Sequence, residues 1–312
     1  MIKVYHDARD AIFQELYSIA LKDPNVLILT ADTGAMAFEE FKRNIPRQFI
    51  NVGVAEQNMI SVAAGLSLTG IRVFVYGISN FVTLRCFEQI RIDICSMKLP
   101  VIIIGMGTGY VYSADGPTHH VTEDVAVMRA LPHMTIWSLS DYTMTASIIH
   151  LAYEANSPCY IRLDKGPFTP IYHHMNADFS KGVSVLRKNN EITIVATGVM
   201  VTQALKVIKE LKKNGKDAGL IDLYRLKPVN EALLIDSLKD SKLIVTLEEH
   251  TVVGGLGSII CEKLLANSIF IPVKMLGIPD KYRCEVGSRE MLRSLDGTDV
   301  TGIVKSIMEW TQ

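Results

Sequence analysis

The chain has no excess of charge of either sign, and this absence excludes several classes of partner. Among its 312 residues, 32 Lys and Arg nearly balance 33 Asp and Glu, which gives a net charge of -1. A protein that binds nucleic acid, or that charge holds on an anionic membrane surface, normally carries a basic excess. We therefore expect neither nucleic acid nor a membrane among its partners.

Long apolar runs and paired cysteines are missing as well. No uninterrupted apolar stretch approaches the roughly 18–20 residues of a membrane span, and the N-terminus has no signal-peptide pattern. The five cysteines are scattered, and none forms a CxxC pair. That spacing argues against a disulfide framework and against a zinc site. We predict a cytoplasmic protein with buried free thiols and no metal site of its own.

Apolar residues make up 48% of the chain and fall into short runs rich in Val, Ile and Leu. Runs such as Val101–Ile104 and Ile192–Ala196 are continuous, which is typical of parallel strands covered on both faces. Helical patterns, among them Glu56–Leu68 and Phe81–Met97, separate these runs. The alternation predicts an α/β protein with two consecutive domains, each a mainly parallel sheet flanked by helices.

The domain limits follow from a change of pattern in the middle of the chain. Residues 166–191 lack clear periodicity and contain a polar, basic stretch, which indicates a linker together with an edge element. We predict a first domain over residues 1–175, a linker over 176–190 and a second domain over 191–312.

The first motif with chemical content is Asn51–Ile60, in which a glycine-containing turn delivers Glu56 to the start of an apolar helix. An acid there complements the positive end of the helix dipole. The apolar neighbours Val52 and Met59 make a carboxylate costly unless a partner uses it. A structural role and a functional role both remain open on chemistry alone.

Two further motifs lie on loops. Ala114–His120 combines Asp-Gly-Pro turn chemistry with two adjacent histidines, which could titrate, bind a metal or be solvated. Glu248–His250 is followed by the glycine-rich stretch Gly254–Ser258, which opens a helix. Such a loop can cradle phosphate through its N–H groups, but close packing of helix on sheet is the stronger interpretation.

Together and in this order, these motifs resemble those of the transketolase family of thiamine diphosphate enzymes. The chain resembles the C-terminal half of a transketolase, which comprises the pyrimidine-binding domain and the C-terminal domain. The residues that carry the resemblance are Asn51–Asn58, Ser79–Phe81 with Glu88 and Gln89, Ala114–His119, Tyr160–Arg162, and Glu248–His250 with Gly254–Ser258.

The resemblance implies thiamine diphosphate as the cofactor and assigns residues to it. Glu56 matches the glutamate that hydrogen-bonds N1′ of the aminopyrimidine, and Phe81 matches the aromatic residue that stacks on that ring. Aromatic residues that often flank the central one are replaced here by Ile78 and Leu84. Asp32 matches an acid near the thiazolium side, although an Asp that caps the turn after a strand is the competing account.

The resemblance also implies substrate contacts. His119 and Asp115 match residues that touch the donor's carbonyl and hydroxyl groups, so with Glu56 they are the predicted catalytic residues. Arg162 and Arg9 match arginines that hold a sugar-phosphate end, a role that suits a planar guanidinium. His120, a further candidate substrate contact, stands where the family usually has Gln.

Two other phosphate contacts of the family are absent, because Gly107 and Met36 stand at their positions. This difference predicts a weaker preference for phosphorylated sugars. It also leaves the identity of donor and acceptor open.

The chain has no Gly-Asp-Gly sequence, whereas the family's diphosphate-binding domain carries Gly-Asp-Gly followed by Asn. The resemblance therefore implies a separate N-terminal subunit with those residues, which holds Mg²⁺ or Ca²⁺ for the diphosphate, in an α2β2 assembly. The predicted function is transfer of a two-carbon ketol or acyl unit between sugar or oxo-acid carbonyl compounds, only with that partner. The alternatives are the β subunit of a 2-oxo acid or acetoin dehydrogenase, and a catalytically silent homologue that binds a partner.

Overall fold

The computed structural model describes residues 8–35, 38–166, 170–172, 175 and 177–311. Contacts divide the chain into two compact units. The first unit is Met1–Gly107 with Val127–Met175, and the second is Thr108–Ala126 with Asn176–Gln312.

Six parallel strands form the sheet of the first unit in the order β5-β6-β4-β3-β1-β2. The strands are β1 (Val26–Thr30), β2 (Phe49–Asn51), β3 (Arg72–Ile78), β4 (Ile102–Met106), β5 (Thr135–Ser138) and β6 (Cys159–Leu163). The helices up to residue 154 are α1 (Ala8–Ala20), α2 (Phe38–Asn44), α3 (Glu56–Leu68), α4 (Ser79–Val82), α5 (Phe87–Gln89), α6 (Asp124–Arg129) and α7 (Thr143–Glu154).

The central strands of this sheet are apolar throughout because both faces are covered. All five residues of β4 are buried, as the continuous Ile102–Ile104 run predicts. Phe13 of α1 meets Tyr76 of β3 edge to face, with ring centroids 4.7 Å apart, and contacts Phe38 at the same centroid distance. These aromatic contacts fix α1 and α2 against the sheet that positions the candidate site.

The second unit contains a five-stranded sheet in the order β12-β11-β8-β9-β7. Its strands are β7 (Val183–Arg187), β8 (Ile192–Ala196), β9 (Gly219–Leu223), β11 (Leu243–Thr251) and β12 (Val273–Ile278), and β10 (Arg225–Lys227) is a short strand outside this sheet. The helices are α8 (Met200–Lys213), α9 (Glu231–Leu238), α10 (Leu256–Ala266), α11 (Arg289–Asp296) and α12 (Val300–Trp310). All strand pairs are parallel except β7 with β9. The α/β class with two mainly parallel sheets is confirmed.

Side-chain caps start several of these helices where the sequence supplies them. Asn230, Ser288 and Asp299 each accept a hydrogen bond from a backbone N–H three residues later. Gly297 ends α11 in the left-handed conformation, with φ of 68°.

The domain limits of 1–175, 176–190 and 191–312 stay a prediction, to which the structure adds two facts. Within 176–190, Val183–Arg187 forms the antiparallel edge strand β7, which corresponds to the expected edge element. Thr108–Ala126 groups with the second unit although it lies inside 1–175, because its contacts are to β11 and α11.

The prediction of one continuous helix over Phe81–Met97 is wrong. The structure has the single turn α4, a break, the short α5 and a π-helix over Ile90–Ser96. The Thr83 hydroxyl donates to the carbonyl of Ser79 at 2.5 Å, beside the backbone N–H of the same residue at 3.0 Å, and such back-bonding bends helices. The break turns the chain so that Arg85 reaches the start of α3.

None of the helices in the described ranges is long and apolar enough to cross a bilayer.

Candidate active site

The candidate residues of the first unit follow the carboxyl ends of neighbouring strands. β1 pairs with β2 on one side and with β3 on the other. The connections from β1 to β2 and from β3 to β4 therefore run in opposite directions along the sheet. In open parallel sheets, ligands bind in the crevice outside the strands' carboxyl ends at such a switch point. Asp32 follows β1, Glu56 follows β2 and Phe81 follows β3.

Glu56 is the first residue of α3 and is nearly buried, with 6% of its surface exposed. Nη1 of Arg85 donates to its Oε2 at 2.9 Å. This guanidinium supplies the countercharge that a carboxylate needs so far from water. Among the residues that the structure describes, only Arg85 hydrogen-bonds the Glu56 carboxylate, so Oε1 keeps its acceptor capacity.

Phe81, in α4, is half-buried and joins the same cluster. The guanidinium carbon of Arg85 lies 4.1 Å from the centroid of the Phe81 ring, in the range of a cation–π contact. Neighbouring Cys86 is not a nucleophile here, because burial, assisted by the charge of Glu56, raises the pKa of its thiol to about 12. The structure thus brings together Glu56 and Phe81, and it does so through Arg85.

Asp32 is exposed and has a left-handed backbone, with φ of 58°. Oδ1 of Asn51 accepts from the N–H groups of Asp32 at 2.9 Å and of Gly53 at 3.0 Å. Asn51 also donates to the Asp32 carboxylate at 3.3 Å. Asn51 therefore ties the turn after β1 to the turn that leads into Glu56. Asp32 is placed beside the motif, and its role toward a cofactor stays a prediction.

The two candidate arginines differ in their surroundings. Arg162 lies one residue before the end of β6 and has 2% of its surface exposed. Arg9 lies in the first turn of α1, and its Nε is 3.6 Å from Oδ1 of Asp10. Of the two other positions considered for phosphate, Gly107 directly follows β4, and Met36 lies outside the described residues.

Asp115 and His119 belong to the second unit, on the segment Thr108–Ala126. A short 3-10 turn over Gly116–Thr118 separates them, and Gly116 has φ of 72°, which explains a glycine there. Asp115 is exposed and His119 is half-buried. Nδ1 of His119 lies 3.0 Å from the hydroxyl of Thr118, which orients the imidazole.

His120 differs from its neighbour because it is buried, with 4% of its surface exposed. Its ring meets Tyr110 edge to face at 5.0 Å. Burial lowers the pKa of His120 below its ordinary value, so the ring is neutral near pH 7. The role of His120 as a substrate contact stays a prediction.

A buried ion cluster holds this segment within the second unit. Glu249 of β11 accepts from Nε of Arg289 at 3.0 Å and from Nε of Arg293 at 2.5 Å. It also accepts from the N–H of Tyr110 at 3.4 Å, and a Cβ on Gly109 would lie 2.4 Å from its side chain. The sequence identified the acidic motif at 248–250 but not its arginine partners in α11.

The glycine-rich stretch packs against its own sheet. The Glu248 carboxylate accepts the N–H groups of Leu256 at 2.6 Å and of Gly257 at 2.9 Å. A Cβ on Gly255 would lie 1.9 Å from the same carboxylate. Because a glutamate already uses these amides, the packing interpretation holds and the phosphate cradle does not fit.

The Glu56 and Phe81 pair fits an aminopyrimidine ring. A nearly buried carboxylate with one acceptor oxygen to spare suits a protonated ring nitrogen, which would donate to it, and an aromatic face beside it suits stacking. In the part of the chain that the structure describes, no three His, Cys, Asp or Glu side chains cluster closely enough to hold a metal ion.

Sequence reasoning missed Arg85 and Asn51, which organise the first-unit site. Asn51 opens the recognised motif, and asparagine often bonds nearby backbone in turns, so a signal was present. Arg85 gave none, because its contact with Glu56 spans 29 residues and depends on the helix break.

Comparison with known proteins supports the resemblance along the whole chain. The family model described as "Transketolase, pyrimidine binding domain" matches residues 5–194, and "Transketolase, C-terminal domain" matches residues 181–303. The chain is 34% identical over 309 residues to a transketolase C-terminal section of Methanocaldococcus jannaschii, covering 98% of this chain and 96% of that protein. It is 31% identical to one subunit of the apulose-4-phosphate transketolase of Phocaeicola vulgatus, covering 97% of each. Among solved structures, a split gene transketolase described as an inactive beta4 tetramer matches with a TM-score of 0.85, 33% identity and 98% coverage of both chains.

Proposed function

This chain belongs to the transketolase family, whose pyrimidine-binding and C-terminal domains it carries, and we propose that it is the C-terminal subunit of a two-chain transferase. The reaction would move a two-carbon ketol unit between sugar carbonyl compounds. The observation that carries this proposal is the cluster of Glu56, Arg85 and Phe81 at the switch point of the first sheet. Similarity over full length to one subunit of a two-subunit transketolase supports it.

Each predicted residue has a defined task in this proposal. Glu56 would hold a proton at N1′ of the pyrimidine through Oε1, while Phe81 stacks on the ring. When bound, thiamine diphosphate supplies the electron sink for bond making and breaking at the donor carbonyl. Asp32 would lie on the thiazolium side.

The remaining predicted residues would orient the substrate. Asp115 would contact a donor hydroxyl, and His119 would exchange a proton with the donor's oxygen. Arg162 and Arg9 would hold the far end of the sugar by charge. His120 is the weakest of the predicted contacts, because its ring is buried against Tyr110.

The partner would be a separate N-terminal transketolase subunit that carries Gly-Asp-Gly and Asn and binds Mg²⁺ or Ca²⁺ with the diphosphate. An α2β2 assembly in the cytoplasm follows from the same proposal. The similar split gene transketolase, described as an inactive beta4 tetramer, supports the need for a second subunit.

Mixing experiments with the partner test this proposal. We expect calorimetry to detect thiamine diphosphate binding only when an N-terminal transketolase subunit that carries Gly-Asp-Gly is added together with Mg²⁺, because this chain offers only the pyrimidine half of the site. Tight, metal-dependent binding by this chain alone would contradict the split-subunit proposal.

The same mixture separates the alternatives. Transfer from a ketose donor to an aldehyde acceptor supports the transketolase activity. Turnover of a 2-oxo acid instead would indicate the dehydrogenase β subunit, and assembly without any turnover would indicate the silent homologue.

A further inference from the structure

Arg85 contacts both residues that are expected to recognise the pyrimidine. Its Nη1 donates to Oε2 of Glu56 at 2.9 Å, and its guanidinium carbon lies 4.1 Å from the Phe81 ring centroid. Resting on the proposed function, we propose that Arg85 is a positioning residue that sets the carboxylate and the aromatic ring for the cofactor.

The carboxylate contact selects which oxygen meets the ligand. The terminal torsion of a glutamate is broad and roughly two-fold, so an unrestrained carboxylate samples many orientations. With Oε2 engaged by Arg85, Oε1 is left as the acceptor in a fixed orientation. Fixing the group beforehand removes an ordering cost from binding.

The ring contact does the same for Phe81. The sequence has Ile78 and Leu84 where aromatic residues often flank the central ring, so those two positions offer it no aromatic support. A planar guanidinium over an aromatic face restrains the tilt of the aromatic ring. The same guanidinium thus couples the plane of Phe81 to the direction of Glu56.

The backbone of Arg85 is itself anchored to α3. The side chain of Gln57, next to Glu56, donates to the Arg85 carbonyl at 3.2 Å. The N–H of Arg85 bonds the carbonyl of Asn80 at 3.1 Å, five residues earlier. This anchoring explains how a side chain with 43% of its surface exposed can hold a defined position.

The test compares two ligands in the assembled two-chain enzyme with Mg²⁺. One is thiamine diphosphate, and the other is an analogue whose pyrimidine carries C–H in place of N1′. The ratio of the analogue's dissociation constant to that of thiamine diphosphate reports the Glu56–N1′ contact, independently of turnover. Glu56→Leu, which has no hydrogen-bonding group, serves as the reference for loss of that contact.

We expect Arg85→Met to reduce this ratio by about tenfold toward that of Glu56→Leu, and Arg85→Lys, which retains the charge, to recover part of it. Arg91→Met is the matched control, since Arg91 is similarly exposed and pairs with Glu88 at 2.8 Å away from the cluster. It should keep the wild-type ratio.

The outcomes separate this inference from the proposed function. If the wild type does not distinguish the two ligands, the proposed role of Glu56 fails. If the wild type distinguishes them and Arg85→Met does so equally well, only the inference about Arg85 is overturned. If Arg85→Met does not assemble with the partner subunit, the same ratio is measured for Arg85→Gln and interpreted in the same way.

Discussion

Two glutamates, one in each unit, pair with arginines in very different ways. Glu56 has a single partner in the described part of the chain, Arg85, whose side chain is 43% exposed. Glu249 pairs with Arg289 and Arg293 and has 1% of its side chain exposed. Both oxygens of Glu249 are engaged, whereas Oε1 of Glu56 is available.

The difference teaches how to separate a binding carboxylate from a structural one. A buried charge whose hydrogen bonds are all satisfied within the protein holds its neighbours in place, and removing it leaves uncompensated charges. A nearly buried carboxylate with an unused acceptor still has bonding capacity for a ligand. By this criterion Glu249 holds the segment that carries Asp115 and His119, and Glu56 keeps an acceptor oxygen for the cofactor contact proposed above.

The largest expected effect is on the stability of the second unit. Glu249→Gln should lower the free energy of unfolding by about 3–5 kcal/mol, because two guanidiniums lose their buried countercharge. Urea unfolding followed by Trp310 fluorescence, in a Trp137→Phe background, measures it. Glu88→Gln, at a carboxylate 62% exposed, is the control and should stay within about 0.5 kcal/mol. If both variants change the free energy of unfolding by a similarly small amount, Glu249 is not the structural carboxylate that the comparison describes.

Acid should weaken the same unit through the same group. Burial alone would raise the pKa of Glu249, but the charges of Arg289 and Arg293 outweigh it and lower the pKa from 4.5 to about 2. Because the folded-state pKa lies below the unfolded one, this stabilisation is fully present above about pH 4.5 and is lost as the pH falls toward 2.

Between about pH 5 and pH 3, wild type should therefore lose about 2 kcal/mol from this group. Unfolding free energies measured at both pH values for wild type and Glu249→Gln give the difference directly. Parallel pH dependences would show that Glu249 titrates alike in the folded and unfolded states.

Arg162 shares a feature with each glutamate: it is as buried as Glu249, but like Glu56 it lies near the carboxyl end of a strand. It therefore tests whether burial or position indicates the role of a charged side chain. We expect Arg162→Ala to lower the preference in kcat/KM for a ketose phosphate over the free ketose by roughly 10- to 100-fold, the equivalent of one charged hydrogen bond. Assays of the two-chain enzyme with both sugars measure this. If Arg162→Ala keeps the wild-type preference but is less stable, Arg162 has a structural role.

The elements that carry the site could be predicted well from sequence, because local patterns determine them. The helix predicted over Glu56–Leu68 has those bounds in the structure, and the continuous Val/Ile/Leu runs became parallel strands. The helix predicted over Phe81–Met97 failed where Thr83 bonds back to the carbonyl of Ser79. Periodicity does not report such a side-chain bond.

Long-range partners could not be predicted in the same way. The Glu249–Arg293 contact spans 44 residues, and no local rule indicates which arginine reaches which acid. The apolar surroundings of Glu56 did show that it needed a partner, but only the fold identifies Arg85. The close approach at Gly109, likewise, exists only once Glu249 is in place.

The role of Glu56 as the carboxylate that acts on the cofactor is tested most directly by hydrogen–deuterium exchange at C2 of thiamine diphosphate. Glu56→Gln keeps the side-chain shape but cannot hold the proton at N1′. In the assembled two-chain enzyme, we predict that this variant slows the exchange by about 100- to 10,000-fold, with an unchanged thermal midpoint of unfolding. Exchange at the wild-type rate in a folded, cofactor-bound Glu56→Gln enzyme would contradict this role.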